Sequence, residues 1–150
     1  MADIKSPEER SKNMAKIRSR DTKPEEYIRK KLFSLGYRYR KNVSTVAGHP
    51  DIWLAKYNTA IFVNGCFWHR HQGCKYAYMP KSRVEFWKIK FLRNIERDSM
   101  VRDQLASEGI KQLVIWECTV KRMIKDSCVE KEVVARIGSF FRSKIEFLEI

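Results

Sequence analysis

One short stretch, Gly65 to Cys74 of this 150-residue chain, restricts the fold more than any other, because it reads GCFWHRHQGC. Within it Cys66, His71 and Cys74 form the pattern C-x4-H-x2-C. Two close cysteines with an intervening imidazole suit a tetrahedral zinc ion whose fourth ligand comes from a distant part of the chain. Cys118 is the candidate for that ligand, since it closes the apolar run Gln112 to Glu117 and a strand could carry its thiol to the site. Cys128 stands in a more helical and less constrained context. Cys66-x2-His69 is also acceptable ligand spacing, so the local pattern leaves open which histidine belongs to the metal. Reduced, buried cysteines without a metal are the plain alternative. If His71 takes the metal, His69 is left spare, and an imidazole there suits proton transfer provided that a carboxylate partner lies beside it.

The length fits one domain with one core. A balance of 31 lysines and arginines against 18 acidic residues gives a net charge of +13. Such a chain is expected to meet a polyanion, with nucleic acid ahead of anionic membrane. No long apolar run, secretory pattern or lipidation signature points to a membrane, so a cytoplasmic protein associated with DNA is expected, its cysteines kept reduced.

The organisation is a basic arm over residues 1–20 and a single domain over 21–150. Ser6-Pro7-Glu8-Glu9 has the form of a helix start. The following arm carries Arg10, Lys12, Lys16, Arg18 and Arg20 around a sparse apolar face of Met14 and Ile17. That combination suits a DNA groove, with cations for phosphates and a small wedge for bases; a solvated helix docked on the body is the alternative. Thr22-Lys23-Pro24-Glu25 repeats the start signal, and Ile28, Leu32 and Leu35 follow at helical spacing before Gly36. A capping glutamate is the structural reading of Glu25.

Alternation from Tyr37 to Arg40, then Pro50 to Ala55 and Ala60 to Val63, predicts a three-stranded antiparallel meander. Asp51 heads the second strand directly after proline, where it could hold a hard divalent cation or simply complete a turn. Ser82-Arg83-Val84-Glu85 predicts the start of a long helix reaching about Gly109, with an apolar stripe of Phe86, Ile89, Leu92, Ile95, Val101 and Leu105. Trp87 lies about 100° round that helix from Phe86. Asp98 is the carboxylate to pair with His69, although a solvated helical charge is the common fate of such a residue. A buried central strand from Gln112 to Cys118 is expected next. Lys121 to Lys125 reads as a basic connection, Val129 to Ser143 as a last helix, and Lys144 to Ile150 as a short strand or ordered extension without assigned function.

Taken together, Arg10-Ser11-Lys12-Asn13-Met14, Asp21-Thr22 with Glu25, Pro50-Asp51, Asn64 to His69, Glu85-Phe86-Trp87, Asn94 to Asp98 and Val114 to Cys118 resemble the very short patch repair endonucleases. These stretches span the chain from the arm to Cys118. Such enzymes nick DNA beside a thymine·guanine mismatch left by deamination of 5-methylcytosine. The resemblance implies an α/β fold of restriction-endonuclease-like type, with a mixed sheet flanked by helices, a basic N-terminal helical arm and a structural zinc site. It assigns His71 with Cys66, Cys74 and Cys118 to zinc. It assigns Asp51 and the main-chain carbonyl of Val63 to catalytic magnesium, and Glu25 to the magnesium-associated waters. His69 becomes the base and Asp98 the residue that fixes its tautomer. Phe67, Trp68 and Trp87 would wedge into the base stack from the major groove, while Lys12, Asn13, Met14 and Arg20 of the arm approach the minor groove. A mismatched step unstacks at lower cost than a paired one, which gives a physical route to selectivity.

Two positions depart from the family pattern. Asn64 stands where histidine is expected; its amide can hydrogen-bond a phosphate but carries no charge. Gln72-Gly73 lengthens the ligand loop by one residue, which glycine can absorb. The implied substrate is double-stranded DNA with a T:G mismatch, the implied unit a monomer, and a mismatch-repair recruitment factor a conceivable partner. A restriction-type nuclease without mismatch preference, a non-catalytic zinc-dependent DNA-binding module and, more distantly, an RNA-binding protein are the rival readings.

Overall fold

The structure is a computed structural model that describes residues 21–150. The helix start at Ser6 and the arm with Lys12, Asn13, Met14 and Arg20 lie outside the described residues. Helix α1, Lys23–Ser34, begins where its capping signal places it: the Thr22 hydroxyl accepts from the Glu25 N–H, and Pro24 occupies the first turn. Ile28 and Leu32 are buried, whereas Leu35 is exposed beyond the last turn. Gly36, at φ +94°, then reverses the chain.

The predicted meander forms, with a shorter first strand than the alternation suggested. Strand β1 is Arg40–Lys41, β2 is Ile52–Leu54 and β3 is Thr59–Asn64, each antiparallel to the one before. Asn58 turns the β2–β3 connection in the left-handed region, at φ 50°. Helix α2, Val84–Ser107, crosses back over the sheet, so β4, Lys111–Trp116, runs parallel to β3. Helices α3, Glu117–Lys125, and α4, Ser127–Arg142, follow, and β5, Phe147–Glu149, adds in parallel on the far edge of β4. The result is a mixed five-stranded sheet in the order β1-β2-β3-β4-β5.

The period of two along each strand separates the faces. Ile61, Val63, Leu113 and Ile115 join Ile28 and Leu32 of α1, Val120 and Met123 of α3, and Val133, Ile137, Phe140 and Phe141 of α4 in the main core. Val114 and Trp116 point the other way, toward Cys66 and the partly buried Cys74 and Cys118.

Three expectations are corrected. The segment Lys121 to Lys125 is helical, as the second half of α3, and Cys118 lies in the first turn of that helix, since β4 ends at Trp116. Ser82 does not cap α2; Arg83 occupies the N-cap at φ 54° without a side-chain cap bond. Finally, Phe86, Ile89, Leu92 and Ile95 are exposed, and Phe91 and Leu105 are the buried residues of α2. The face that carries Trp87, Phe91, Asn94 and Asp98 turns inward instead, against Phe67, Trp68, His69 and Arg70.

The loop before β2 approaches α2 closely at Gly48. A Cβ there would lie 2.5 Å from Val101 Cγ1 and 3.1 Å from the Phe62 ring, and its φ of +79° already favours glycine.

Candidate active site and metal centre

Strand β3 leads directly into a coil of turns that places every residue of the Gly65–Cys74 stretch. The His69 N–H donates to the Gly65 carbonyl at 3.1 Å and the His71 N–H to the Cys66 carbonyl at 3.0 Å. This winding turns alternate histidines to opposite sides. His71 faces the cysteines, with its Nδ1 3.4 Å from Cys118 Sγ. His69 faces α2, with its Nδ1 2.7 Å from Asp98 Oδ2.

The ligand atoms of Cys66, His71, Cys74 and Cys118 all lie within 4.8 Å of one another. Zinc–sulfur bonds of about 2.3 Å and zinc–nitrogen bonds of about 2.0 Å set tetrahedral S···N edges near 3.6 Å, so these four residues fit one zinc ion. Two further features suit thiolate ligands. The Cys118 N–H donates to Cys66 Sγ at 3.4 Å, and His71 is stacked on Trp116. Burial pushes the Cys66 thiol up to about 12 and holds His71 below its usual value, in the neutral form a ligand needs. Cys74 is desolvated too, yet the N–H groups of Tyr76 and Ala77 and the neighbouring sulfurs bring it below its usual value. Cys128 is exposed on α4 and takes no part.

A second cluster gathers at the other side of β3. Asp51 Oδ2 accepts from the Val63 N–H at 2.8 Å, which fastens the head of β2 to β3. Its carboxyl is pushed up to about 7, chiefly by burial and then by the charge of Glu25; the Val63 bond, His69 and Arg29 act in the opposite direction. Glu25 is itself buried and raised, again mainly by burial. It reaches back to the Asp21 N–H at 2.7 Å, so it does serve the helix start, one residue before the cap. Arg29, one turn along α1, donates to Asp21 Oδ1 at 2.9 Å and lies 3.6 Å from Glu25. Two carboxylates sunk together at one sheet end are costly as anions, and a hard divalent cation is the partner that relieves the cost. Asp51 and Glu25 therefore fit magnesium, and Val63 stands where its main chain can contribute.

Between the sheet and α2 a cleft of about 550 Å³ opens beside His69 and Asp98, with Asn64, Phe62, Gln112 and Trp116 in its walls. Asn64 ends β3, level with Trp116 of β4. The His69 and Asp98 side chains are 34% and 39% exposed, so the pair can be reached from solvent. Asn94, one turn before Asp98, donates to the Trp68 carbonyl at 2.8 Å and pins the residue preceding His69.

Phe67, Trp68 and Trp87 come together as one aromatic cluster. Their ring centroids lie between 5.2 and 5.8 Å apart, and all three are half-buried. Trp87 also stacks on Phe91 at 5.5 Å.

Sequence reasoning missed the supports of this site. From sequence Trp116 belongs to a buried strand and to the Val114 to Cys118 motif, with no supporting role, and the tail carries no assigned function. In the structure the Trp116 indole donates to Glu149 of β5 at 2.7 Å while its face covers His71. Arg29 was not singled out, although its i+4 spacing from Glu25 was visible.

The chain is similar to known proteins. A family model described as DNA mismatch endonuclease Vsr matches residues 2–75. The type II nicking enzyme V.NmeAIP of Neisseria meningitidis is 45% identical over 131 residues, covering 87% of this chain and 91% of its own length. The type II nicking enzyme V.XorIIP of Xanthomonas oryzae is 42% identical over 79% of this chain and 86% of its own. The DNA mismatch endonuclease Vsr of Escherichia coli is 37% identical over 81% of this chain and 77% of its own.

Proposed function

Because the chain belongs to the Vsr family of DNA mismatch endonucleases, we propose that this DNA-cleaving hydrolase nicks duplex DNA on the 5′ side of the thymine in a T:G mismatch. The mismatch is the product of 5-methylcytosine deamination, and the nick leaves a 3′-hydroxyl from which very short patch repair begins. The observation that carries the reading is the His69–Asp98 bond of 2.7 Å beside the half-buried Asp51.

Asp98 accepts from His69 Nδ1 and so holds the proton on that nitrogen. Nε2 is left as the acceptor that takes the proton of the attacking water. Asp51, with the Val63 carbonyl, would hold magnesium, and Glu25 would order the surrounding waters. Magnesium supplies Lewis-acid polarisation of the scissile phosphate and neutralises charge that develops there. Asn64 would donate a hydrogen bond to a phosphate oxygen from the end of β3. Zinc on Cys66, His71, Cys74 and Cys118 would be structural, holding the turns that carry Phe67, Trp68 and His69. The antiparallel β1–β3 unit followed by parallel β4, with Asp51 at the strand ends, supports a restriction-endonuclease-like core.

Recognition is assigned to the Phe67, Trp68 and Trp87 cluster, which would enter the mismatched step from the major groove. Residues 1–20, with Lys12, Asn13, Met14 and Arg20, would follow the minor groove as the arm of a 21–150 endonuclease domain. One asymmetric mismatch calls for one active site, so the acting unit would be a monomer in the cytoplasm, with a mismatch-repair protein as a recruiting partner. No helix among the described residues is long and apolar enough to cross a membrane.

Two of the relatives above are named type II nicking enzymes, which favours one second reading: a nickase that serves a restriction system without mismatch preference. A labelled duplex with a single T:G mismatch, beside its matched T:A control, separates the two. Magnesium-dependent nicking of the thymine strand in the mismatched duplex, lost in Asp51→Ala and His69→Ala, is the expected result. Equal cutting of both duplexes would transfer the assignment to the second reading.

A further inference from the structure

Next to the wedge stands a fourth aromatic residue without a structural reason to be where it is. Tyr78 is 61% exposed, yet its ring lies 5.2 Å from that of Phe67, tilted by 44°. Its main chain is fixed. Arg70 donates to the Phe67 carbonyl at 3.0 Å, to the Tyr78 carbonyl at 3.2 Å and to the Ala77 carbonyl at 2.8 Å. The same guanidinium packs against α2, with Cζ 3.8 Å from the centroid of the Phe91 ring.

One half-buried cation thus ties three carbonyls of two chain segments to the helix that bears Trp87. An exposed ring on a loop ordinarily loses conformational freedom on binding, and that loss offsets what stacking gains. Here the backbone is already held while the ring face remains open to solvent. That is the arrangement of a base-stacking platform on a strongly basic chain, and Arg70, which holds it, also lines the cleft.

We propose that Tyr78 is a further nucleobase-contacting residue of the wedge and that Arg70 is the positioning residue that sets it beside Phe67. The proposal rests on the reading of Phe67, Trp68 and Trp87 as the mismatch wedge. Tyr78 lengthens that wedge along the strand and stacks on the base next to the opened step.

Equilibrium binding of fluorescent T:G and T:A duplexes to full-length, zinc-loaded wild type, Tyr78→Phe, Tyr78→Leu and Arg70→Met provides the test. Tyr78→Phe keeps the ring and is expected to bind within about twofold of wild type, whereas Tyr78→Leu fills the same contact on Phe67 without an aromatic face. Loss of one stacked base corresponds to about tenfold weaker T:G binding, expected for Tyr78→Leu and Arg70→Met. Zinc content should match wild type in all of them and the thermal midpoint in both Tyr78 variants, whereas Arg70→Met, which loses three hydrogen bonds, should melt lower. Tyr78→Leu binding as tightly as wild type would overturn the proposal, as would a loss accompanied by loss of zinc, which would make Tyr78 a packing residue. If wild type bound both duplexes equally, the mismatch reading would fall. A Tyr78→Leu deficit on both would still sustain the stacking role, and no deficit on either would remove it.

Discussion

Trp116 lies parallel to His71, with ring centroids 4.2 Å apart and an angle of 7° between planes, while its indole N–H is held by Glu149 at 2.7 Å. The last strand of the protein therefore braces a zinc ligand far away in sequence. Glu149→Gln should loosen that brace and Trp116→Leu remove it. Partners outside the ligand shell are typically worth about 10- to 100-fold in metal affinity, so zinc release to a chromogenic chelator should speed up in that order. Unchanged release from Trp116→Leu would show that the stack is incidental.

Asp98 has no evident packing role, so Asp98→Asn should leave the fold intact. An amide can present its N–H to Nδ1 and so favour the opposite tautomer. A fall in kcat of about 10²-fold or more, with KM little changed, is expected in steady-state nicking assays. A KM effect alone would assign Asp98 to DNA binding.

Asp51 is ionised at a cost, because burial and the neighbouring Glu25 both oppose its charge. Asp51→Asn keeps an acceptor for the Val63 N–H and removes the charge. Zinc-loaded and without magnesium at neutral pH, the variant should be more stable than wild type by about 1 kcal/mol, while nicking in magnesium is abolished. Denaturant melts with and without magnesium measure the first effect, and the magnesium-induced gain should be confined to wild type.

Glu130 on α4 receives Lys31 at 2.8 Å and the Tyr27 hydroxyl, both from α1. These bonds, that of Lys31 first, hold its carboxyl below the ordinary 4.5. A carboxyl lowered by folding contributes stability above its unfolded value and loses it as pH falls through the lowered folded value. Glu130→Gln should cost about 0.5–1 kcal/mol at neutral pH, and its melting curve should converge with that of wild type in acid.

Gly48→Ala places a methyl group 2.5 Å from Val101 at a positive φ. A loss of about 1–3 kcal/mol in denaturant melts is expected, since both overpacking and backbone strain oppose it.

What the sequence determined was local. Thr22 and Pro24 fix the start of α1, alternation fixes the meander, and the spacing of Cys66, His71 and Cys74 marks a metal loop, because each depends on residues within a few positions of one another. The resemblance carried by the motifs extended this to His69, Asp98 and Asp51, which the fold brings within reach of common neighbours. Tertiary structure decided the rest. Periodicity tells which residues of α2 share a face but not which face meets the sheet, and the stripe with Phe86, Ile89 and Leu92 turned outward. The strand before Cys118 stops at Trp116, where the chain leaves the sheet to enter α3, a change of direction with no local marker. Glu149 and Arg70 acquire their roles only through partners distant in sequence or direction, and no spacing rule records a contact that the packing of the whole chain creates.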